Sequence, residues 1–226
     1  MTILNLIFVS QKSLRNIIRL GFAAGTIAFS WYLGNKIGYL PPLNYFIESG
    51  IADPVLVDSG VDLLNYDRPL TQLLTVDSDR TEVSILIEKS LKRLTLYYNK
   101  QPIKSYPMVL GGNPVGDKRQ EGDYKTPEGI FKVRDLYPHT QWSKFIWLDY
   151  PNAQSWEKHL EAKKQGTIPV SATIGGEIGI HGVPQGSDYL IDEGTNWTWG
   201  CISLKNQDVD EIYGWLQVGT VIEVTP

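Results

Sequence analysis

The sequence predicts a mainly β fold with about two helices, preceded by an N-terminal apolar helix. Three observations support this. Short runs rich in β-branched and aromatic residues alternate apolar with polar positions from residue 83 onward. Beyond the N-terminal region, two stretches space apolar side chains as a helix does. One uncharged apolar stretch stands near the N-terminus. With 226 residues, 42% of them hydrophobic, the chain suffices for one ordinary domain with extra segments at its ends.

Residues 1–37 are predicted to be a cytoplasmic tip followed by a signal anchor or signal peptide. Lys12, Arg15 and Arg19 precede the uncharged stretch "LGFAAGTIAFSWYLG", which is the order typical of export signals. The absence of a small-x-small cleavage site favours an uncleaved anchor over a cleaved signal peptide. A buried core helix is the remaining alternative. We therefore expect an exported protein of the periplasmic or cell-wall space, held at the inner membrane by its N-terminus.

Residues 38–76 are predicted to be a linker or membrane-proximal extension. "LPPL", "SGIADPV" and "SGVD" are rich in residues that break regular structure, and no periodicity is sustained. A spacer, a lid and a partner-binding arm all stay open for this segment. Residues 77–226 then form the predicted core domain.

The core domain begins with a predicted β-meander. "EVSILIEKSLKRLTLYYNKQPIKSYPMVLGG" contains three short strands separated by "EKSLK" and "NKQP". "EGDYKTPEGIFKV" follows as a turn or edge segment that leads into a strand over residues 130–133.

Two helices and two further strands complete the prediction. "NAQSWEKHLEAKKQG" has helical spacing and stops at Gly166. "EIGIHGV" is a short strand that carries His181. A second helix starts at Asn206 as N-cap and closes at Gly219, and "TVIEV" is the last strand.

Composition excludes several function classes. The formal net charge is −4 and the basic residues are scattered, so nucleic-acid binding is not expected. No cluster has zinc-ligand spacing. "GGNPVGD" is not followed by a helix signal, so a turn explains it better than a phosphate site. We therefore expect no metal and no organic cofactor.

Cys201, in "NWTWGCISLKN", is the only cysteine. In an exported protein it has no intramolecular disulfide partner, so it is either a buried inert thiol or a reactive one. A reactive thiol needs a neighbour that lowers its pKa or takes its proton. The preceding Gly200 permits a turn whose N–H groups converge on one point, as an oxyanion hole requires.

Histidine is the usual partner of such a thiol, and the chain has three. His139 lies in the loop-like stretch "YPHTQW" and His159 in a predicted helix, which favours surface or packing roles. His181 follows the strand "IGI" and precedes Gly182, and a loop separates it from Cys201. His181 is therefore the candidate base.

Three motifs carry a family resemblance. From the N- to the C-terminal side, "GGNPVGDKRQEGDYKTPEGIFKV", "IHGV" and "TWGCISLKN" resemble the L,D-transpeptidase catalytic domain (YkuD) family over residues 83–224. The resemblance implies a β-sandwich or barrel fold, a Cys–His site and peptidoglycan stem peptides as substrate, and so a role in cell-wall biogenesis and cell shape. Cys201 would be the acylated nucleophile and His181 its base. The carbonyl of Gly182 would orient the imidazole, and the N–H groups of Gly200 and Cys201 would hold the oxyanion.

Two positions depart from the family pattern. Trp199 stands where a histidine is common and Ser203 where an arginine is common, so the sequence is similar to a subgroup with a WTxGC motif. Trp197, Trp199 and Ser203 are candidate substrate-binding residues, although packing is the favoured role for the two tryptophans.

The predicted function is a peptidoglycan L,D-transpeptidase that forms cross-links through a cysteinyl thioester on a stem peptide. An L,D-carboxypeptidase or amidase working through the same acyl-enzyme is the first alternative, since sequence does not show whether water or an amine resolves it. A non-catalytic wall-binding module and a thiol protease acting on L,L bonds are further alternatives. Acceptor and oligomeric state stay open. A paired thiolate would react with iodoacetamide below pH 7.

Overall fold

The structure, a computed structural model, describes residues 62–226. The predicted N-terminal apolar helix and the first part of the segment 38–76 lie outside these residues. Within residues 62–226, no helix is both long enough and apolar enough to cross a membrane.

Eight strands and four helices follow one another along this part of the chain. The strands are β1 (Val83–Glu88), β2 (Arg93–Tyr98), β3 (Gln101–Pro107), β4 (Gly129–His139), β5 (Ser143–Leu148), β6 (Gly179–His181), β7 (Ile202–Ser203) and β8 (Val221–Thr225). The helices are α1 (Leu70–Leu73), α2 (Ala153–Lys164), α3 (Tyr189–Asp192) and α4 (Asn206–Tyr213), with a 3₁₀ turn over Arg80–Glu82.

The strands form one half-barrel sheet in the order β3-β2-β1-β8-β4-β5-β6-β7. The mainly β class is therefore confirmed. The predicted meander is present, since β1 pairs with β2 and β2 with β3, both antiparallel. The last strand, β8, inserts parallel to β1 and antiparallel to β4. The two ends of the domain sequence thus meet in the middle of the sheet.

Strand β4 changes its pairing partner along its length. Its first part pairs with β8 and its second part with β5, with a register shift between Val133 and Asp135. A bulge of this kind adds a residue, bends the strand and interrupts the alternation of faces. The sequence predicted only residues 130–133 of this strand, because the apolar alternation ends where the bulge begins.

The core lies between the sheet and α4. The pattern along β1 alternates buried with partly buried residues, so Val83, Ile85 and Ile87 face inward. Val209 and Ile212 of α4 are fully buried against β5 and β6. Strands β5 and β6 are therefore packed on one side by α4.

The two predicted helices exist, and α4 differs from the prediction at both of its ends. Helix α2 begins after Asn152, whose side chain accepts the Ser155 N–H at 3.0 Å. Helix α4 starts at Asn206 but its N-cap is Lys205, and it ends before Gly214 rather than at Gly219. The Asn206 side chain does not cap because it is bonded elsewhere, near the site. Helices α1 and α3 have four residues each, too few to show a helical period.

Residues 62–74 pack on the domain, so the packed unit begins earlier than residue 77. Leu70 is fully buried and Leu74 is 7% exposed, both in the main core. Glu211 of α4 accepts the Leu70 N–H at 2.7 Å, the Tyr106 hydroxyl at 2.7 Å and the Lys104 ammonium at 2.8 Å. Because these contacts join positions far apart in sequence, local patterns did not show them.

Replacing Glu211 by Ala is expected to lower the free energy of unfolding by about 2–3 kcal/mol, because it leaves a buried ammonium and a buried hydroxyl without their shared acceptor. Urea unfolding followed by tryptophan fluorescence measures the change. The matched control is Glu157→Ala, an exposed glutamate of α2, which should alter stability by less than about 0.5 kcal/mol. Equal effects of the two substitutions would contradict this role for Glu211.

Candidate active site

Strand β6 ends at His181, and Cys201 directly precedes β7. The strands are parallel, and Ile180 pairs with Ile202. Both isoleucines are fully buried, so they point into the core. Successive side chains along a strand alternate between faces, so His181 points away from the side that Ile180 and Ile202 occupy. Cys201 directly precedes β7, so the predicted nucleophile adjoins the strand that pairs with the one carrying the predicted base.

A tight turn built by glycine presents the cysteine. Gly200 has a φ of +134°, and a Cβ there would lie 2.7 Å from the Lys125 carbonyl oxygen, so only glycine fits. The Thr198 hydroxyl accepts the Gly200 N–H at 3.2 Å and donates to the Cys201 carbonyl at 2.6 Å. Of the two predicted oxyanion donors, Gly200 thus already has an acceptor. The Cys201 N–H has none within residues 62–226.

Cys201 is partly exposed as a residue, but its sulfur is buried and protonated at rest. Its Sγ lies 3.5 Å from the Glu177 carbonyl oxygen, to which it donates. Burial raises the pKa of the thiol to about 11, opposed by the Gly179 backbone and the cation of Lys118. The nucleophile at neutral pH is therefore a thiol that must lose its proton during attack.

The hydrogen bond of His181 fixes its tautomer. Its Nδ1 lies 2.6 Å from the Gly182 carbonyl oxygen, which has no proton to give, so Nδ1–H donates and Nε2 keeps its lone pair. His181 is 2% exposed, and burial lowers its pKa to about 4, although the bond to Gly182 acts in the opposite direction. The imidazole is therefore neutral at pH 7 and able to accept a proton at Nε2.

The Gly182 peptide is itself held on several sides. Its N–H donates to the Trp142 carbonyl at 2.9 Å, and its carbonyl also accepts from the Ser203 hydroxyl at 3.3 Å. The Asn206 side chain accepts the neighbouring Val183 N–H at 3.1 Å, and a Cβ on Gly182 would lie 2.0 Å from that side-chain oxygen. Glycine is thus required here. Ser203 pairs with His181 across the two strands and has no exposed surface, so its hydroxyl is taken up by the Gly182 carbonyl and is not presented at the surface.

The two tryptophans of the motif have different surroundings. Trp197 lies edge-on to His181 at 5.5 Å between ring centroids and packs with Val109, Val183 and Ile191. Trp199 is 45% exposed and touches Tyr124 edge-on at 5.9 Å. Trp197 therefore packs around the base, whereas Trp199 presents a free surface beside the cysteine.

Sequence reasoning missed the aromatic rings that stack on the base. The Trp142 and Phe145 rings lie 4.4 Å and 5.9 Å from the His181 ring, tilted by 26° and 8°. The aromatic density of "HTQWSKF" was the available signal. His159 is buried and its Nδ1 contacts the Arg119 carbonyl at 2.6 Å, a packing role. No group of three or more His, Cys, Asp or Glu side chains in the described part of the chain is placed to hold a metal ion.

The rate of alkylation by iodoacetamide is expected to rise steadily from pH 7 to pH 10, because the thiolate fraction grows about tenfold per unit below a pKa of about 11. At pH 7 the folded protein should react roughly a hundredfold more slowly than free cysteine. This differs from the reaction below pH 7 that the sequence led us to expect, since burial of the sulfur is not visible there. A rate plateau below pH 7 would contradict the neutral-thiol assignment.

The chain is similar in sequence to a known protein family and to curated proteins. The family model for the L,D-transpeptidase catalytic domain (YkuD) matches residues 82–224. YafK of Escherichia coli K12, which bears the name of a candidate L,D-transpeptidase, is 28% identical over 137 residues, covering 58% of this chain and 46% of YafK. This chain thus spans less than half the length of the curated relatives it matches.

Two solved structures are among those that match part of this chain. The helical cell shape determining protein Pgp2 of Campylobacter jejuni is 25% identical, with a TM-score of 0.47 over 63% of this chain and 46% of Pgp2. L,D-transpeptidase 3 of Mycobacterium tuberculosis is 12% identical, with a TM-score of 0.43 over 64% of this chain and 61% of that protein. Because the family model spans well over half of its residues, the chain belongs to the L,D-transpeptidase catalytic domain (YkuD) family.

Proposed function

We propose that this chain is a cysteine-dependent L,D-transpeptidase that acts on peptidoglycan stem peptides. The observation that carries the proposal is a neutral His181 at the end of β6, the strand paired with β7, which Cys201 directly precedes; the bond to Gly182 leaves Nε2 of His181 free to accept a proton. Membership of the YkuD family supports the substrate class. Its site of action is the cell-wall space, and anchoring through the N-terminal segment stays a prediction.

Acylation begins with proton transfer. Nε2 of His181 takes the Sγ proton as the sulfur attacks the carbonyl carbon between the third and fourth residues of a donor stem. The Cys201 N–H donates to the oxyanion that forms. The imidazolium then returns the proton to the leaving amine of D-alanine, and a thioester remains on Cys201.

In deacylation the proton moves from the attacking amine to His181 and then to the sulfur. The side-chain amine of the third residue on a neighbouring stem attacks the thioester carbonyl and gives its proton to Nε2 of His181. The sulfur leaves and recovers a proton from the imidazolium, which yields a 3→3 cross-link. If water attacks instead, the product is a tripeptide and the enzyme is a carboxypeptidase.

Product analysis tests the proposal. The protein is incubated with a disaccharide-tetrapeptide, and the products are measured by mass spectrometry. A cross-linked dimer accompanied by loss of D-alanine is the expected result. Tripeptide alone would replace the transferase with a hydrolase. If neither a product nor a protein adduct forms, both the transferase and the hydrolase are contradicted.

We further propose that the WTxGC motif places Trp199 in contact with the donor stem. Trp199→Ala is expected to raise KM about tenfold, equivalent to roughly 1.4 kcal/mol, with little change in kcat. Steady-state release of D-alanine measures both constants. The matched control is Trp156→Ala, since Trp156 on α2 is 46% exposed against 45% for Trp199. An unchanged KM in the Trp199 variant would remove it from the binding surface.

A further inference from the structure

Two histidine rings stack on one tryptophan beside the cysteine. The His139 and Trp142 ring centroids are 4.4 Å apart with an interplanar angle of 11°, and those of Trp142 and His181 are 4.4 Å apart with an angle of 26°. Two rings at this separation fit only on opposite faces of the indole. Trp142 is therefore sandwiched between the buried imidazole of the site and a second, partly exposed one.

The hairpin between β4 and β5 creates this sandwich. β4 ends at His139, β5 begins at Ser143, and these two residues pair across the strands. The short connection puts Trp142 beside them, and its carbonyl accepts the Gly182 N–H at 2.9 Å. Gly182 in turn accepts from Nδ1 of His181 at 2.6 Å. Trp142 thus holds the base through both its ring and its backbone.

We propose that His139 is a positioning residue for the base, acting through Trp142: a proton on His139 opposes a proton on His181 and so keeps the base neutral in acid. This rests on the proposed function insofar as His181 is the base. The face of an indole attracts one cation. A second cation on the other face is repelled by the first. The apolar ring between them excludes water, so this repulsion is strong.

The other titratable and charged groups around the stack do not carry this effect. Tyr137 stacks on Phe145 at 5.6 Å, and burial raises its pKa, so it stays neutral in acid. The Cys201 thiol is likewise neutral. Glu177 and Lys118 lie near the thiol.

Next to Ser143, Lys144 and Asp210 form an ion pair at 3.0 Å. Substitution of His139 leaves all of these groups in place. A change in the titration of His181 on such a substitution therefore reports the coupling between the two imidazoles.

The test is an NMR titration of the His181 imidazole in the full chain, comparing wild type with His139→Gln and His139→Lys. Glutamine removes the charge, and lysine makes it permanent. The His181 midpoint should lie about half a unit to one unit higher in the glutamine variant than in wild type, and no higher than wild type in the lysine variant. His139→Asn replaces the glutamine variant should that one fail to fold.

The pH profile of the kinetics is a second measurement, because a purely structural role of His139 would leave that profile unchanged. The acid limb of the pH profile of kcat/KM should shift to higher pH in His139→Gln by the same amount, with KM unchanged at pH 7. Identical His181 midpoints in all three proteins would overturn the inference. Coupled midpoints in a protein that turns over no stem peptide would instead refute the proposed function and leave the coupling standing.

Discussion

Cys201→Ala is expected to abolish acyl-enzyme formation and to lower turnover of a disaccharide-tetrapeptide by about 10⁴-fold or more. The chain has no second cysteine that could take over the attack. Alanine keeps the Cβ at a partly exposed position, so the fold should be retained, with a change in unfolding free energy of less than about 1 kcal/mol. Release of D-alanine, measured by mass spectrometry, gives the rate, and thermal unfolding confirms the fold.

Cys201→Ser is the matched control for shape. A hydroxyl preserves the size of the side chain but ionises less readily than a thiol, so this variant should also be nearly inactive. Wild-type rates in either variant would place the nucleophile elsewhere and contradict the site.

His181→Gln is expected to slow acylation by about 10³-fold at pH 7, because the proposed proton acceptor is lost. Wild-type acylation should persist down to about pH 5. The folded-state pKa of His181 lies near 4. The imidazole is therefore in its base form above pH 4 and becomes protonated as the pH falls below that value. In the variant, the rate should instead rise with the thiolate fraction toward pH 11.

Stopped-flow or quenched acylation measured from pH 5 to pH 10 separates the two profiles. The ratio of wild-type to variant rates should shrink as the pH rises. A constant ratio across this range would show that His181 supports the fold or the substrate without taking the proton.

Much of the fold is visible in the sequence because strand alternation is local. β1, β2, β3 and β8 lie where apolar and polar residues alternate. The length of β4 was underestimated, since its bulge between Val133 and Asp135 interrupts that alternation. The packing of residues 62–74 was not foreseen either, because Glu211 and Leu70 meet only in the folded chain.

The residues of the site that lie in sequence motifs could be predicted. Cys201, His181 and Gly182 were predicted from sequence; in the structure Nδ1 of His181 lies against the Gly182 carbonyl, and Cys201 directly precedes β7, the strand paired with β6. The supporting groups were not found, because Trp142 and Asn206 act through tertiary contacts that no local spacing reveals. The protonated state of the resting thiol was also missed, since it depends on burial of the sulfur.

The most direct test of the account is the identity of the acyl-enzyme. Wild-type protein is mixed with a disaccharide-tetrapeptide, quenched in acid within milliseconds to seconds, digested and examined by mass spectrometry. We expect an adduct of the donor without D-alanine on the peptide that contains Cys201, removable by hydroxylamine as a thioester is. Turnover without any adduct on Cys201, or an adduct on another residue, would contradict it.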